Sequence, residues 1–175
     1  MIDIEIFERH LTTKWVGRDR LLLEQTDSTN NYAKNPPRDL VHGSLILANY
    51  QLKGRGQSGK SWFGDAHKNL YFSIFTKPLR TEGLFLLSLI SAHSIIESIR
   101  SYNLAHPLMN QLKIKWPNDV YIGEHKIAGI LTENIFHGGF LKGSVIGTGW
   151  NIDQDHFPPN LKYKASSLRL LFAET

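Results

Sequence analysis

The 175-residue sequence predicts one mixed α/β domain, built on a mainly antiparallel sheet with helices packed largely on one face. Seven short runs rich in apolar, β-branched and aromatic residues recur between Arg20 and Gly147, each of strand length and bounded by turn-forming residues. Two of their links, Gly123-Glu124-His125 and Gly138-Gly139, are hairpin signals, and hairpins join antiparallel neighbours. A single long stretch, 84–99, repeats its apolar residues with a helical period. An apolar share of 41% at this length fits one hydrophobic core and is too large for a disordered chain.

In chain order, Arg20 to Gln25 reads as a buried strand, after which Asp27 or Ser28 caps a brief helix that Pro36 and Pro37 stop. Ser44 to Gln51 is a second strand. It leads into Lys53 to Ser61, a loop with three glycines and three cations in nine residues. Asn69 to Lys77 alternates and is aromatic, a strand closed by Pro78. The run Leu84 to Ile99 predicts a helix buried on most sides. Leu112 to Trp116, Val120 to Ile122, Lys126 to Ile135 and Phe140 to Gly147 predict four more strands. Residues 155–164 then form a loop, and Ser166 to Phe172 opens an apolar helix.

Zero cysteines exclude a disulfide framework, a thiol nucleophile and a thiolate metal site. The eight histidines stand singly, with no pair three to five apart, so no transition-metal site is expected. The net charge of +4 suits an anionic small ligand and gives little support for nucleic acid. The richest apolar run, Leu84 to Ile96, is interrupted by serines and His93 and is shorter than the roughly 20 residues a bilayer span needs. The N-terminus is acidic where a signal peptide is basic, so a cytoplasmic location is expected.

Gly54 to Ser61 spells GRGQSGKS, which satisfies the GxxxxGK[ST] pattern of a phosphate-binding loop. That pattern needs a strand before it and a helix directly after it, whose amino end faces the phosphate. The strand is there, but Trp62 to Phe75 shows no helical period and turns into a strand within eight residues. A nucleotide hydrolase or kinase is therefore the weaker reading. Glycine lets backbone approach a ligand closely and Arg55 offers a bidentate fork, so the loop reads as an anion cradle.

Five segments, spread in order over residues 26–151, resemble the biotin protein ligases. Thr26-Asp27-Ser28-Thr29-Asn30 matches the family's TxSTN segment, and Gly54 to Trp62, preceded by Gln51, matches its glycine-rich loop. Lys115-Trp116-Pro117-Asn118-Asp119 is an intact KWPND motif, and Lys126 to Leu131 is an intact KxAGIL motif. Gly147 to Asn151 is similar, more weakly, to the family's GxGxN. Taken singly, each residue has a structural explanation: a helix cap for Ser28 and Thr29, a core or surface aromatic for Trp116 and Trp62, an exposed strand lysine for Lys126. Their joint occurrence in order overturns those explanations.

The resemblance implies the biotin/lipoate ligase fold and an ATP-dependent enzyme, with ATP entering as its Mg2+ complex. Such an enzyme makes biotinyl-5'-AMP and passes biotin to a lysine of a biotin carboxyl carrier protein. It implies that Ser28, Thr29, Gln51 and Gly54 bind biotin, that Arg55 holds carboxylate and α-phosphate, and that Lys126 bridges the two. Gly129 would let the KxAGIL strand lie against biotin. Trp62, Lys115, Asn118 and Asn151 would face the nucleotide, Trp62 by stacking on adenine, and Asp119 would assist transfer. Lipoate or octanoate transfer on the same fold is the nearest alternative, and a catalytically weak biotin-binding module is another. Neither DNA nor membrane is an expected partner, and a homodimer is compatible with the sequence.

The residue types fit that chemistry on their own terms. A carboxylate is already a nucleophile, so attack on the α-phosphorus needs no base; it needs two anions held close and in line by cations. The second step needs a lysine amine, ordinarily protonated, to lose a proton, and Asp119 is the candidate base in the matched motifs. Two loop positions depart from the family pattern: Gln57 and Lys60 stand where arginine is usual. Glutamine supplies no charge and lysine no bidentate fork, so the loop is expected to retain the adenylate less tightly. With about 25 residues before Thr26 and 24 after Asn151, neither an N-terminal DNA-binding domain nor a C-terminal β-barrel domain is expected within this sequence.

Overall fold

The structure, a computed structural model, describes residues 2–78, 81–102, 106–161 and 163–172. Lys162, inside the predicted loop 155–164, lies outside the described residues. Within the described residues seven strands form one sheet: β1 (Arg20–Thr26), β2 (Leu45–Gln51), β3 (Asn69–Thr76), β4 (Leu112–Lys115), β5 (Asp119–Ile122), β6 (His125–His137) and β7 (Phe140–Asn151). Their spatial order is β1-β2-β3-β7-β6-β5-β4, with β1 and β2 parallel and every other neighbouring pair antiparallel. The predicted strands are all present. β7 continues four residues past its expected end, because Thr148–Asn151 keep pairing with β3 through Asn69–Phe72. The β6–β7 hairpin turns at Gly138 and Gly139, both at positive φ, as a tight two-residue hairpin turn requires.

Among the described residues four α-helices accompany the sheet: α1 (Ile4–His10), α2 (Thr29–Lys34), α3 (Leu86–Tyr102) and α4 (Leu168–Phe172). α1 was not anticipated, although Asp3 caps it by accepting from Ile6 N at 3.0 Å. α3 starts two residues later than expected and is buried on one face only, through Ser88, Ala92, Ile95, Ile96 and Ile99. Phe85, Leu86 and Ile90 point to solvent, so the expectation of burial on most sides is corrected. Its apolar run is wider than the stripe the sheet can cover.

Strand alternation tells which helix covers which face. On β7, Val145 packs in a cluster with Ala33 of α2, whereas its neighbour Ile146 packs with Ala92, Ile95 and Ile96 of α3. α4 joins the α3 side through Leu168, Leu171 and Phe172. Leu45 shares that face by register with Ile74 and Ile146, and both Leu45 and Phe7 of α1 lie within 3.4 Å of the space beside Gly17. α1, α3 and α4 thus cover one face, as expected. Among the described residues the other face is covered by α2 and Leu40 of the segment after it, and beyond them the sheet is left open for a site.

Candidate active site

Glycine clears that open face. Gly129 of β6 pairs with Gly149 of β7, and Leu131 pairs with Gly147, so three of these four positions carry no side chain. A Cβ at Gly149 would lie 2.5 Å from the Trp62 ring, at Gly129 2.7 Å from it, and at Gly147 2.0 Å from Asn30 Oδ1. Glycine inside a strand sacrifices packing, and here it admits other groups to the sheet surface. The result is a cavity of about 320 Å³ floored by β6 and β7. Its walls come from the start of α2, the loop after β2, the 115–119 segment and Tyr163.

At one end the cavity is polar and rigid. Ser28 is buried at the N-cap of α2, yet its side chain makes no capping bond, so a cap does not explain it. Gln51 is fixed from the carbonyl side: Thr29 N donates to its Oε1 at 2.8 Å and Thr29 Oγ1 at 3.2 Å. The buried Ser73 hydroxyl lies 2.7 Å from both Thr29 Oγ1 and Asn30 Oδ1 and locks the arrangement from β3. Asn30 in turn donates to Leu131 O at 3.0 Å and to Glu133 Oε2 at 2.8 Å. Ser28, Thr29 and Gln51 therefore stand on a preorganised frame.

The glycine-rich loop folds back on itself: Gly56 N donates to Lys60 O at 2.7 Å and Trp62 N to Gly54 O at 2.8 Å. No helix follows it, and β3 begins at Asn69, so the phosphate-loop reading of GRGQSGKS is not supported. Arg55 pins the loop to the sheet, with its guanidinium 3.1 and 3.3 Å from the Glu133 carboxylate and 2.6 Å from Asn31 Oδ1. Glu133 also accepts from Lys34 Nζ at 2.7 Å. Burial pushes the Glu133 carboxyl up. Hydrogen bonds from Lys34 and Asn30 and the charges of Lys34 and Arg55 outweigh it, leaving the group below its ordinary value.

At the other end sits Lys126, and a β-bulge puts it there. Asp119 pairs with Gly129, Val120 with Ala128, and Tyr121 with Lys126, so Ile127 is an extra residue on β6. Without it Lys126 would share the α3 face with Ala128; with it Lys126 joins Asp119 and Tyr121 on the cavity side. Lys126 Nζ lies 2.7 Å from Asp119 Oδ1, 5.3 Å from the Trp62 ring centre and 4.8 Å from that of Tyr163. Its side chain is only 11% exposed. Burial pushes the Lys126 ammonium down, Asp119 draws it back up, and Lys60 and Lys115 push it down again; the balance falls below the ordinary lysine value.

Ten predicted site residues line this cavity: Ser28, Thr29, Gln51, Arg55, Trp62, Lys115, Asn118, Asp119, Lys126 and Gly129. Two do not. Gly54 lies under Trp62, where a Cβ would meet the Trp62 carbonyl at 2.7 Å. Asn151 is buried, donating to Ser166 O at 3.0 Å. Asn118 also braces the floor, donating to Ile130 O at 2.6 Å. Trp116, which alone would pass for a core residue, is 68% exposed on the rim. Sequence reasoning missed Asn30, Ser73, Glu133 and Tyr163; Asn30 stood inside a matched motif, whereas the other three had no local signal.

Lys60 and Lys115 join Lys126 on the wall, against Asp119 as the single carboxylate among the lining residues, while Arg55 is already paired with Glu133. That charge balance suits a polyanion. Elsewhere, Asp65, Asp155 and His156 bring ligand atoms within 4.8 Å of one another, and none of them lines the cavity.

Comparison with known proteins agrees with the geometry. Residues 22–151 match the profile of the Biotin/lipoate A/B protein ligase family. The chain is 33% identical over 140 residues to the bifunctional ligase/repressor BirA of Escherichia coli, covering 78% of this chain and 41% of that protein. It is 33% identical over 135 residues to the biotin–[acetyl-CoA-carboxylase] ligase of Paracoccus denitrificans, covering 75% and 53%. The Aquifex aeolicus biotin protein ligase solved with biotin and ATP superposes with a TM-score of 0.75 at 29% identity, covering 89% of this chain and 62% of that one. The chain thus spans about half the length of the curated relatives it matches, or less.

Proposed function

Because this chain belongs to the Biotin/lipoate A/B protein ligase family, we propose that it carries the catalytic site of a biotin protein ligase. The reaction joins biotin to ATP, releases pyrophosphate, and transfers the biotinyl group to a lysine of a carboxylase's biotin carboxyl carrier domain. The observation that carries this reading is a buried ammonium, Lys126, at the far end of a glycine-floored cavity from a rigid polar frame of Ser28, Thr29 and Gln51. The Paracoccus relative is named a biotin–[acetyl-CoA-carboxylase] ligase, and the Aquifex biotin protein ligase was solved with biotin and ATP.

Ser28, Thr29 and Gln51 would hold the polar ring of biotin, and its apolar stem would run toward Lys126 against the Trp62 indole that lies on the glycine strip. The biotin carboxylate then lies near Lys126 and the loop backbone. One carboxylate oxygen attacks the α-phosphorus of magnesium-bound ATP; the new P–O bond forms as the bond to the β-phosphate oxygen breaks, and pyrophosphate leaves. Lys126, Lys60 and Lys115 offset the repulsion between the two anions and the charge that grows on the α-phosphoryl oxygens. In transfer, an acceptor amine attacks the biotinyl carbonyl, AMP departs with the bonding electrons, and the surplus proton goes to Asp119 or to solvent. The reaction needs a compartment that supplies ATP, and the cytoplasm is the one we propose.

The test is isothermal titration of biotin, with lipoate as control, in the presence and absence of a non-hydrolysable ATP analogue and magnesium. Biotin should bind with micromolar or tighter affinity, and Lys126→Ala should weaken it. Preference for lipoate, or nucleotide binding that is indifferent to biotin and depends on Lys60, would replace the proposal.

A further inference from the structure

Tyr163 lies outside every matched motif and has no part in the chemistry above, yet its ring closes the cavity over Lys126. The segment that carries it is docked on β6 at that lysine. Lys126 N donates to Lys164 O at 2.9 Å, Ser166 N donates to Lys126 O at 3.1 Å, and Asn151 holds Ser166 O from β7. Lys126 and Ala165 accordingly form a parallel bridge. Backbone pairing on both sides of the lysine peptide fixes where Tyr163 falls.

The groups facing the ammonium come from every element around it: Asp119 from β5, Lys115 from β4, Lys60 and Trp62 from the loop, and Tyr163 from the C-terminal segment. Among the charged ones, Asp119 alone favours the charged lysine, and burial opposes it. An aromatic face carries negative potential and attracts a desolvated cation. Trp62 reaches the ammonium from the glycine-rich loop, whereas Tyr163 is carried by a segment paired with β6 at the lysine itself. The Tyr163 phenol is itself pushed up by burial, then by Asp119 and Tyr121, so at neutral pH it offers its ring and no charge.

We propose that Tyr163 is a positioning residue for adenylate formation, its ring face holding Lys126 charged and aimed into the cavity. This rests on the ligase reading of the site. It assigns a role to a residue beyond the GxGxN segment and links the fold of residues 163–166 to the first chemical step. Removing the ring face lowers the pH at which Lys126 gives up its proton; removing only the hydroxyl does not.

The experiment compares wild type, Tyr163→Phe and Tyr163→Leu by competitive acetylation across pH, read at Lys126 by peptide mass spectrometry. The titration midpoint, and not the plateau, is the readout, so altered access does not imitate the effect. The midpoint in Tyr163→Leu should fall by about 0.5–1 pH unit, while Tyr163→Phe stays with wild type. The alkaline limb of biotin-dependent pyrophosphate exchange should move with it. Equal midpoints in Tyr163→Leu and wild type, or a Tyr163→Phe midpoint as low as that of Tyr163→Leu, would overturn the proposal. If wild type shows no biotin-dependent exchange, the ligase reading fails instead, and the labelling midpoints still decide what Tyr163 does to Lys126.

Discussion

Lys126 and Glu133 share β6 and do different work with charge. Lys126 is an ammonium kept in a poor place for one, and its value is realised when an anion arrives. Replacing it with methionine should lower adenylate formation by about 10²–10³-fold, the usual scale for losing one preorganised electrostatic contact. A pyrophosphate-exchange assay checks this, with circular dichroism confirming the fold. Glu133 is the reverse, a carboxylate already satisfied by Lys34, Asn30 and Arg55. Its folded-state pKa is depressed, so the stability it contributes is complete above the ordinary carboxylate value and is lost as pH falls through the depressed one. Glu133→Gln should cost about 1–3 kcal/mol at pH 7, and urea unfolding should show the gap to wild type narrowing as pH drops below 4. The motif residues were legible because their types and spacing are unusual together. Glu133 was not, since its partners Lys34 and Arg55 are remote in sequence and an acid in a strand announces nothing.

At the scale of elements, the glycine pair and the loop decide whether a ligand fits. Gly149→Ala places a methyl 2.5 Å from Trp62 Cε2, so the indole must leave the strip. Thermal unfolding should change little, since alanine suits a strand at least as well as glycine, while biotin affinity measured by titration should fall at least tenfold. Gln57 lies on the cavity wall, where an arginine would add a charge facing the adenylate. Gln57→Arg should therefore slow adenylate release in a rapid-filtration assay, and unchanged release would contradict that role for the loop. The strands and the two hairpins could be read from alternation and glycines. The bulge at Ile127 could not: an extra residue shows only against the partner strand's register, and it is that residue which turns Lys126 from core to cavity. The width of α3's apolar run misled for a related reason, since sequence gives the stripe and the sheet sets how much of it is covered.

Over the whole molecule, the division of labour between sheet faces explains how a small chain keeps both a core and an open site. α1, α3 and α4 bury one face, and the other is given over to α2 and the cavity. Ligand binding should then tie α2, the loop and the 163–166 segment together. Biotin with magnesium-ATP should raise the melting temperature well beyond the effect of either alone, as expected for a ligand bound to the folded state. Raising salt should weaken the nucleotide contribution more than that of biotin, since Lys60 and Lys115 are the more screened cations. The central claim is that this cavity activates biotin on ATP, and exchange of labelled pyrophosphate into ATP measures that step before any acceptor is involved. The account predicts exchange that requires biotin and collapses in Lys126→Met; exchange without biotin, or biotin-dependent exchange that survives the loss of Lys126, would contradict it.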